Sequence, residues 1–359
     1  MPLFRARRAL VVLTSAGLAT ATTSILSAQD TSAHAGHTAE VHGFVQVYYR
    51  TGDPVIKDGY RLRKADLKFS GEVSPHIRWR VGFDAAKVLT LSKSEVTVGD
   101  SVALSDASVD QRTRILQDAA LTVSLNKFVS LDIGQQILPL SLEGTISSAY
   151  IETIERTLFI VERSRAVGLG DIRDIGASAN GKLPMGLEYH IGLFNETGES
   201  QGTVDPNEQK ALIGRIAYHV PALPGLQIGG SGGYEPGPFE QRRERAGSEI
   251  QYKTSAATLR AETMFARDGA LRRFGWYGLG AWRLTGNLQF VARYDSWDRD
   301  RSFEQSTFDG YERQIVAGTS YLLDGGSAKI AFNLVHQSFP NVASSANGTF
   351  ALIAFQGLW

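Results

Sequence analysis

The chain has no cysteine among its 359 residues. No disulfide can hold it, and thiol nucleophiles and thiolate metal sites are excluded. Its net charge is zero, with 37 basic and 37 acidic residues. No bulk basic field marks it for nucleic acid or for an acidic polymer. Methionine (3) and proline (11) are sparse, whereas glycine is plentiful at 37. Beyond the first residues no uninterrupted apolar run is long enough for a transmembrane helix. If the chain lives in a membrane, a closed β-barrel is the remaining option, because open sheet edges cannot face lipid.

Several chemical signatures are missing as well. There is no H-E-x-x-H or EF-hand loop, and the G-x-S-x-G spacing at Gly229–Gly233 falls inside a strand pattern, where small residues allow close packing, and not on a nucleophile elbow. The stretch GLGDIR lacks the third glycine of a dinucleotide fingerprint and no βαβ pattern surrounds it. His34, His37 and His42 fall in a polar stretch before the first strand and read as linker rather than a metal site. No cofactor is implied, and no catalytic constellation stands out. A Ser-His pair (Ser296 or Ser320 with His336) is the one weak enzymatic alternative.

What is present begins with an export signal. Arg5, Arg7 and Arg8 precede an apolar run, Ala9–Leu26, which ends at Ser27-Ala28. This pattern predicts a signal peptide over residues 1–28 and a polar linker over 29–40. Without it, 34 basic residues face 37 acidic ones, a net charge of −3.

The remaining residues, 41–359, alternate. In HIRWRVGFDAA, Ile77, Trp79, Val81, Phe83 and Ala85 point one way, and Arg78, Arg80 and Asp84 the other. In AKIAFNLVHQ, Ile330, Phe332 and Leu334 oppose Lys329 and Asn333. One face suits hydrocarbon and the other water. About sixteen such segments can be marked, starting near Val41, Gly59, Pro75, Arg114, Phe128, Arg173, Gly186, Gln209, Gly225, Arg245, Ala256, Arg272, Gly286, Tyr311, Gly325 and Gly348. Their connections alternate short and long, with Asp268–Leu271 taken among the long ones. This predicts an all-β transmembrane antiparallel barrel of about 16 strands, with short periplasmic turns and long extracellular loops. A soluble exported β-sandwich has no reason to alternate its loops so. It stays as the alternative, beside an outer-membrane enzyme or adhesin on the same barrel.

The last segment, GTFALIAFQGLW, has Ala351, Ile353, Phe355, Gly357 and Trp359 on one face. Pairing with the first strand near Val45 and Val47 would close the barrel, with Trp359 at the membrane rim. Trp79, Tyr218, Tyr234, Trp276, Trp282, Tyr294 and Tyr321 are further interfacial aromatics.

The longest loop, 137–171, is the expected constriction. Its centre, Ser147–Phe159, has helical spacing, and Ser147-Ser148 could cap it. The expected pore-lining and anion-binding charges are Lys64, Lys68, Arg78, Arg80, Arg156 and Arg163, and the loop acids are Glu143, Glu152 and Glu155. Guanidinium forks and ammonium groups bind small anions such as phosphate, and rings of charge set pore selectivity.

The series RLRKADLKFSGEV, WRVGFDAA, LQDAALTV, DIGQQILPLSLEGTISSAYIETIERTL, RDIGASANGKL and YHIGLFNETGE resembles the phosphate-selective porin O and P family. The matched features include Arg61, Arg63 and Lys64, Gly134, Pro139–Glu143, Glu155-Arg156, Arg173–Gly176 and Phe194-Asn195. The resemblance implies a sixteen-stranded porin of a Gram-negative-type outer membrane, a homotrimer with its third loop folded inward. The matched residues are landmarks of the fold rather than anion sites. Solute preference therefore stays open between a general diffusion pore and an anion- or phosphate-selective one.

Overall fold

A strand with one apolar and one polar face has to lie between two media. A series of them in lipid has to close, because every edge N–H and C=O needs a partner. The computed structural model describes residues 39–87, 90–98, 101–110, 115–161, 169–196, 208–236, 242–301, 310–340 and 346–359. The expected signal peptide and all but the last two residues of the expected linker lie outside them.

The strands are β1 (Ala39–Thr51), β2 (Gly59–Ser74), β3 (Ile77–Asp84), β4 (Thr90–Val98), β5 (Ser101–Asp110), β6 (Leu116–Asn126), β7 (Val129–Ile137), β8 (Arg173–Lys182) and β9 (Leu187–Phe194). They continue as β10 (Ala211–His219), β11 (Leu226–Glu235), β12 (Arg243–Lys253), β13 (Ala257–Asp268), β14 (Leu271–Arg283), β15 (Leu288–Asp298), β16 (Tyr311–Leu323), β17 (Ala328–Ser338) and β18 (Gly348–Leu358). Sixteen of them form a closed antiparallel barrel in sequence order, β18 pairing with β1. All sixteen begin within three residues of the expected starts. The remaining two, β4 and β5, form a separate hairpin in the connection from β3 to β6. The sequence pattern marks no strand in that connection.

The two faces separate as alternation requires. On β17, Lys329, Ala331, Asn333 and Val335 are buried on the lumenal side, and Ile330, Phe332 and Leu334 are exposed toward lipid. Aromatics gather at both rims. Trp79, Tyr218, Trp282, Tyr321 and Trp359 lie near the short turns, and Tyr234, Trp276 and Tyr294 lie near the long loops. Trp276 and Tyr294 stack with centroids 5.0 Å apart. Amphipathic rings at the two interfaces fix the barrel's height in the bilayer.

One expected long loop is a tight turn. Asp268 pairs directly with Leu271, leaving only Gly269 and Ala270 between β13 and β14. Gly269 has φ +59°, the left-handed conformation that such a turn favours in glycine. The rim is therefore low at this point.

Candidate functional site

The connection from β7 to β8, called L3 below, turns into the lumen. Its ends are tied, Leu138 N–H to the Ile172 carbonyl at 2.8 Å. Its helical content is smaller than expected: two single turns, α1 (Leu142–Thr145) and α2 (Leu158–Val161). The Ser147–Phe159 stretch is not a helix, and the cap is Ser141, whose side chain accepts from the Gly144 N–H at 3.1 Å. The reason is anchoring. The backbone between the two turns is consumed by bonds to the barrel wall rather than to itself.

The wall contacts follow one another along the loop. The Glu262 carboxylate on β13 accepts from Ser141 Oγ (2.7 Å), Leu142 N–H (2.8 Å), Glu143 N–H (2.7 Å) and Tyr277 Oη–H (2.6 Å). Gln356 Nε2 donates to the Ala149 carbonyl at 2.9 Å, and Lys329 Nζ donates to that of Ile151 at 3.1 Å. Arg260 forks onto Glu152, both bonds 3.1 Å. Asn333 Oδ1 accepts from the Ile154 N–H at 2.7 Å. Arg293 donates to Asp295, Thr153 Oγ1 and the carbonyls of Glu155 and Arg156, at 2.6–3.2 Å. The bonds made by Glu262, Lys329, Arg260 and Arg293 are charge-assisted, about twice as strong as neutral ones.

Apolar packing adds to the clamp. Leu138, Leu140, Leu158, Phe159 and Ile160 of L3 join Ile213, Met264, Tyr277, Leu279 and Trp297 of the wall in one buried cluster. Phe159 lies 6.1 Å from Tyr277 and 6.3 Å from Trp297 between ring centroids. A second cluster seats Ile154 against Val316, Val335, Phe350 and Leu352. Each such side chain contributes roughly 1.5–3 kcal/mol on burial. L3 is a packed wall, held on β10, β11 and β13–β18.

The expected charges fall into three groups. Arg156, Glu143 and Glu152 are buried inside the clamp. Arg156 is 2% exposed and donates to the Glu143 and Ile146 carbonyls and to Ser148 Oγ, and lies 3.3 Å from Asp171. Glu143 accepts from the Thr157 N–H at 2.8 Å. Glu155 pairs instead with Arg63 at 3.1 Å, linking L3 to β2.

On the opposite wall, Lys64 is buried against Asp84 at 2.9 Å and Asp66 at 3.7 Å. Arg80 remains 35% exposed while bonding Asp132 and Thr122 at 3.2 and 3.0 Å. Arg78 is exposed near the short turns, 4.0 Å from Glu72. Lys68 is exposed and lines a cleft of about 580 Å³ with Asp66, Ser147 and Tyr150. Arg163 lies outside the described residues.

Sequence reading missed Arg63 as a lumenal charge, because simple alternation sets it opposite to Lys64. A β-bulge reverses this: Gln46 pairs with Lys64 and Val47 with Leu62, so Arg63 is the extra residue. Bulged neighbours point to the same side, and Arg63 reaches Gln46 Oε1 at 2.9 Å as well as Glu155. Arg260, Glu262 and Arg293 were also missed as anchors. Glu262 and Arg260 lie on the polar face of a strand already marked, but nothing local says that a loop will meet them.

The sequence profile of the family described as phosphate-selective porin O and P matches residues 36–218. No match was found among curated proteins. Among solved structures, the chain is similar to OmpF of Salmonella typhi, in complex with daunomycin, with TM-score 0.64 and 11% identity over 89% of this chain and 97% of that one. It is similar to the outer membrane channel DcaP of Acinetobacter baumannii with TM-score 0.58 and 12% identity, covering 90% and 98%. The trimer form of OmpT, an outer membrane protein of Vibrio cholerae, gives TM-score 0.57 and 10% identity, covering 90% and 100%. At these identities the likeness is one of fold.

Proposed function

The chain belongs to the phosphate-selective porin O and P family, and from that premise we propose how this outer-membrane porin selects its solutes. Small hydrophilic solutes diffuse passively through the lumen beside L3, past the charged wall of β2 and β3. The carrying observation is the clamp: L3 is bonded to the opposite wall at six successive places, so the aperture is fixed rather than gated. Size is filtered by the loop's edge.

Charge is filtered by Arg80 and Lys68, with Arg78 exposed at the short-turn end of the same wall. Arg80 shares Asp132, and Lys68 faces Asp66, so the field is mild. The reading is a preference for anions, with phosphate as the solute that the family's name supports. The chain functions as a channel and not as an enzyme, and assembles as a homotrimer; the trimer form of the Vibrio protein and the shared fold support this assembly. Ser296 and Ser320 are buried while His336 is exposed on the lipid side, so the weak Ser-His alternative lacks a common site.

The test is the reversal potential of the refolded protein in a planar bilayer under a KCl gradient. An anion-selective potential that shifts toward cations in K68E/R80E, with conductance falling as phosphate is added, supports the reading. A cation-selective wild type without phosphate block leaves a general porin and removes the anion assignment.

A further inference from the structure

The outer wall of the barrel gathers arginines at one place on its loop-side rim. Arg267, near the end of β13, stands directly opposite Arg272 at the start of β14, and both are exposed. Arg301, just after β15, donates its backbone N–H to the Arg272 carbonyl at 2.8 Å and sets its guanidinium 5.6 Å from the Phe274 ring centroid. Like charges directly opposite one another on a sheet are destabilising.

The nearby carboxylates do not relieve them. Asp268 is turned to Arg245 and Arg273 at 2.6 and 3.2 Å. Glu244, opposite Arg267 in the register, pairs with Arg242 at 2.7 Å. Among the described residues, none of Arg267, Arg272 and Arg301 has a carboxylate within ion-pair distance.

A cleft of about 480 Å³ opens here, lined by Glu244, Ala246, Phe265, Arg267, Arg272 and Arg301. Phe265 and Phe274 stack at 4.5 Å two residues nearer the membrane middle. Arg267 and Arg272 therefore sit roughly 7 Å along the strands from an aromatic pair, and the Arg301 guanidinium lies over Phe274. The two-residue turn at Gly269-Ala270 keeps the rim low beside them. Below, Ala246, Ser248, Ala261 and Thr263 make a strip of small side chains on the lipid side.

We infer that this cleft docks a phosphorylated lipid of the outer leaflet. The three guanidiniums take the phosphate headgroup, and an acyl chain lies over Phe265 and the strip of small residues. Guanidinium forks match phosphate oxygens bidentately, and basic pockets at a membrane surface hold anionic headgroups. The location selects a lipid over free phosphate, because the cleft is on the outer wall and continues into the hydrocarbon zone.

The test is native mass spectrometry of the detergent-solubilised full chain with bisphosphorylated lipid A as the probe. Comparisons are the same lipid with its phosphates removed, and inorganic phosphate as competitor. Correct folding of each variant is checked by heat-modifiable gel mobility. The bound fraction should fall about tenfold or more in R267Q/R272Q and severalfold in R301Q. The dephosphorylated lipid should bind weakly, and millimolar inorganic phosphate should not displace lipid A. Wild-type binding by a folded R267Q/R272Q, or equal binding of the dephosphorylated lipid, overturns the inference. Displacement by inorganic phosphate overturns the lipid assignment in favour of a free-anion site. Should the double variant fail to fold, undiminished binding by R301Q overturns it equally.

Discussion

Trp359 and Gly43 pair across the seam where β18 meets β1. Each backbone N–H donates to the other's carbonyl, at 2.9 and 3.1 Å. The indole lies so close over Gly43 that a Cβ there would fall inside the ring. Gly357, two residues before, has nothing within 4 Å of a Cβ position. The two glycines therefore predict opposite outcomes. Gly43→Leu should displace the indole and cost about 1–3 kcal/mol, the usual range for overpacking, lowering the temperature at which the heat-modifiable folded band is lost. Gly357→Leu should leave it unchanged or raise it. Equal behaviour of the two variants would contradict the seam geometry.

Glu262 is the acceptor for the start of L3. Glu262→Gln removes the charge that four donors share, and hydrogen bonds to charged groups contribute roughly 1.5–3 kcal/mol each. The expected outcome is a barrel of unchanged strand content whose L3 is cut faster by protease and whose single-channel current is noisier. A quiet, protease-resistant variant would show that the apolar cluster alone holds the loop.

Arg260 and Glu152 should behave as a pair. Arg260→Ala leaves a buried carboxylate without its partner, which typically costs 3–5 kcal/mol. Adding Glu152→Ala should recover part of that loss. A double-mutant cycle on resistance to unfolding should give a coupling of about 1 kcal/mol or more; additive losses would mean that the fork does not contribute.

The first loop predicts a pH response. Burial works to raise the Asp53 carboxyl, but the Ile56 N–H, Arg50 and the Val55 N–H outweigh it and hold it below the ordinary aspartate value. Asp58 is lowered by bonds from Thr51 and the Gly52 N–H. Groups with depressed pKa contribute fully above the unfolded value, here 3.8, and lose that contribution as pH falls through the folded value. Amide exchange at Gly52, Val55 and Ile56, corrected for intrinsic rates, should be protected at pH 5 and lose that protection below 3.8. Constant protection down to pH 2 would refute the assignment.

The barrel was legible because alternation is local: each strand carries its own two faces, and Ile330, Phe332 and Leu334 against Lys329 and Asn333 need no other part of the chain. Its limits were local too. Gly269-Ala270 reads like any polar connection until the register brings Asp268 beside Leu271. Arg63 required a bulge, which is a property of two strands and not of one. L3 was recognisable as the constriction from its length and place, but not its conformation. Helical spacing at Ile151, Ile154 and Leu158 reflected burial, with Ile154 and Leu158 in two different lumenal clusters, not a helix. A usable signal was present and unread: Phe350, Leu352 and Ala354 make β18 apolar on its lumenal face as well. A strand greasy on both sides of a water-filled barrel has to be covered by something.

The account rests on L3 being a fixed partition of an open pore. The most direct measurement is single-channel conductance in a planar bilayer for the wild type and for a variant with residues 142–160 replaced by a short flexible linker, both verified as heat-modifiable barrels. The account predicts discrete conducting steps for the wild type and a clearly larger conductance for the shortened loop. A folded, inserted wild type that passes no current, or a shortened loop that conducts no more than the intact one, would contradict it.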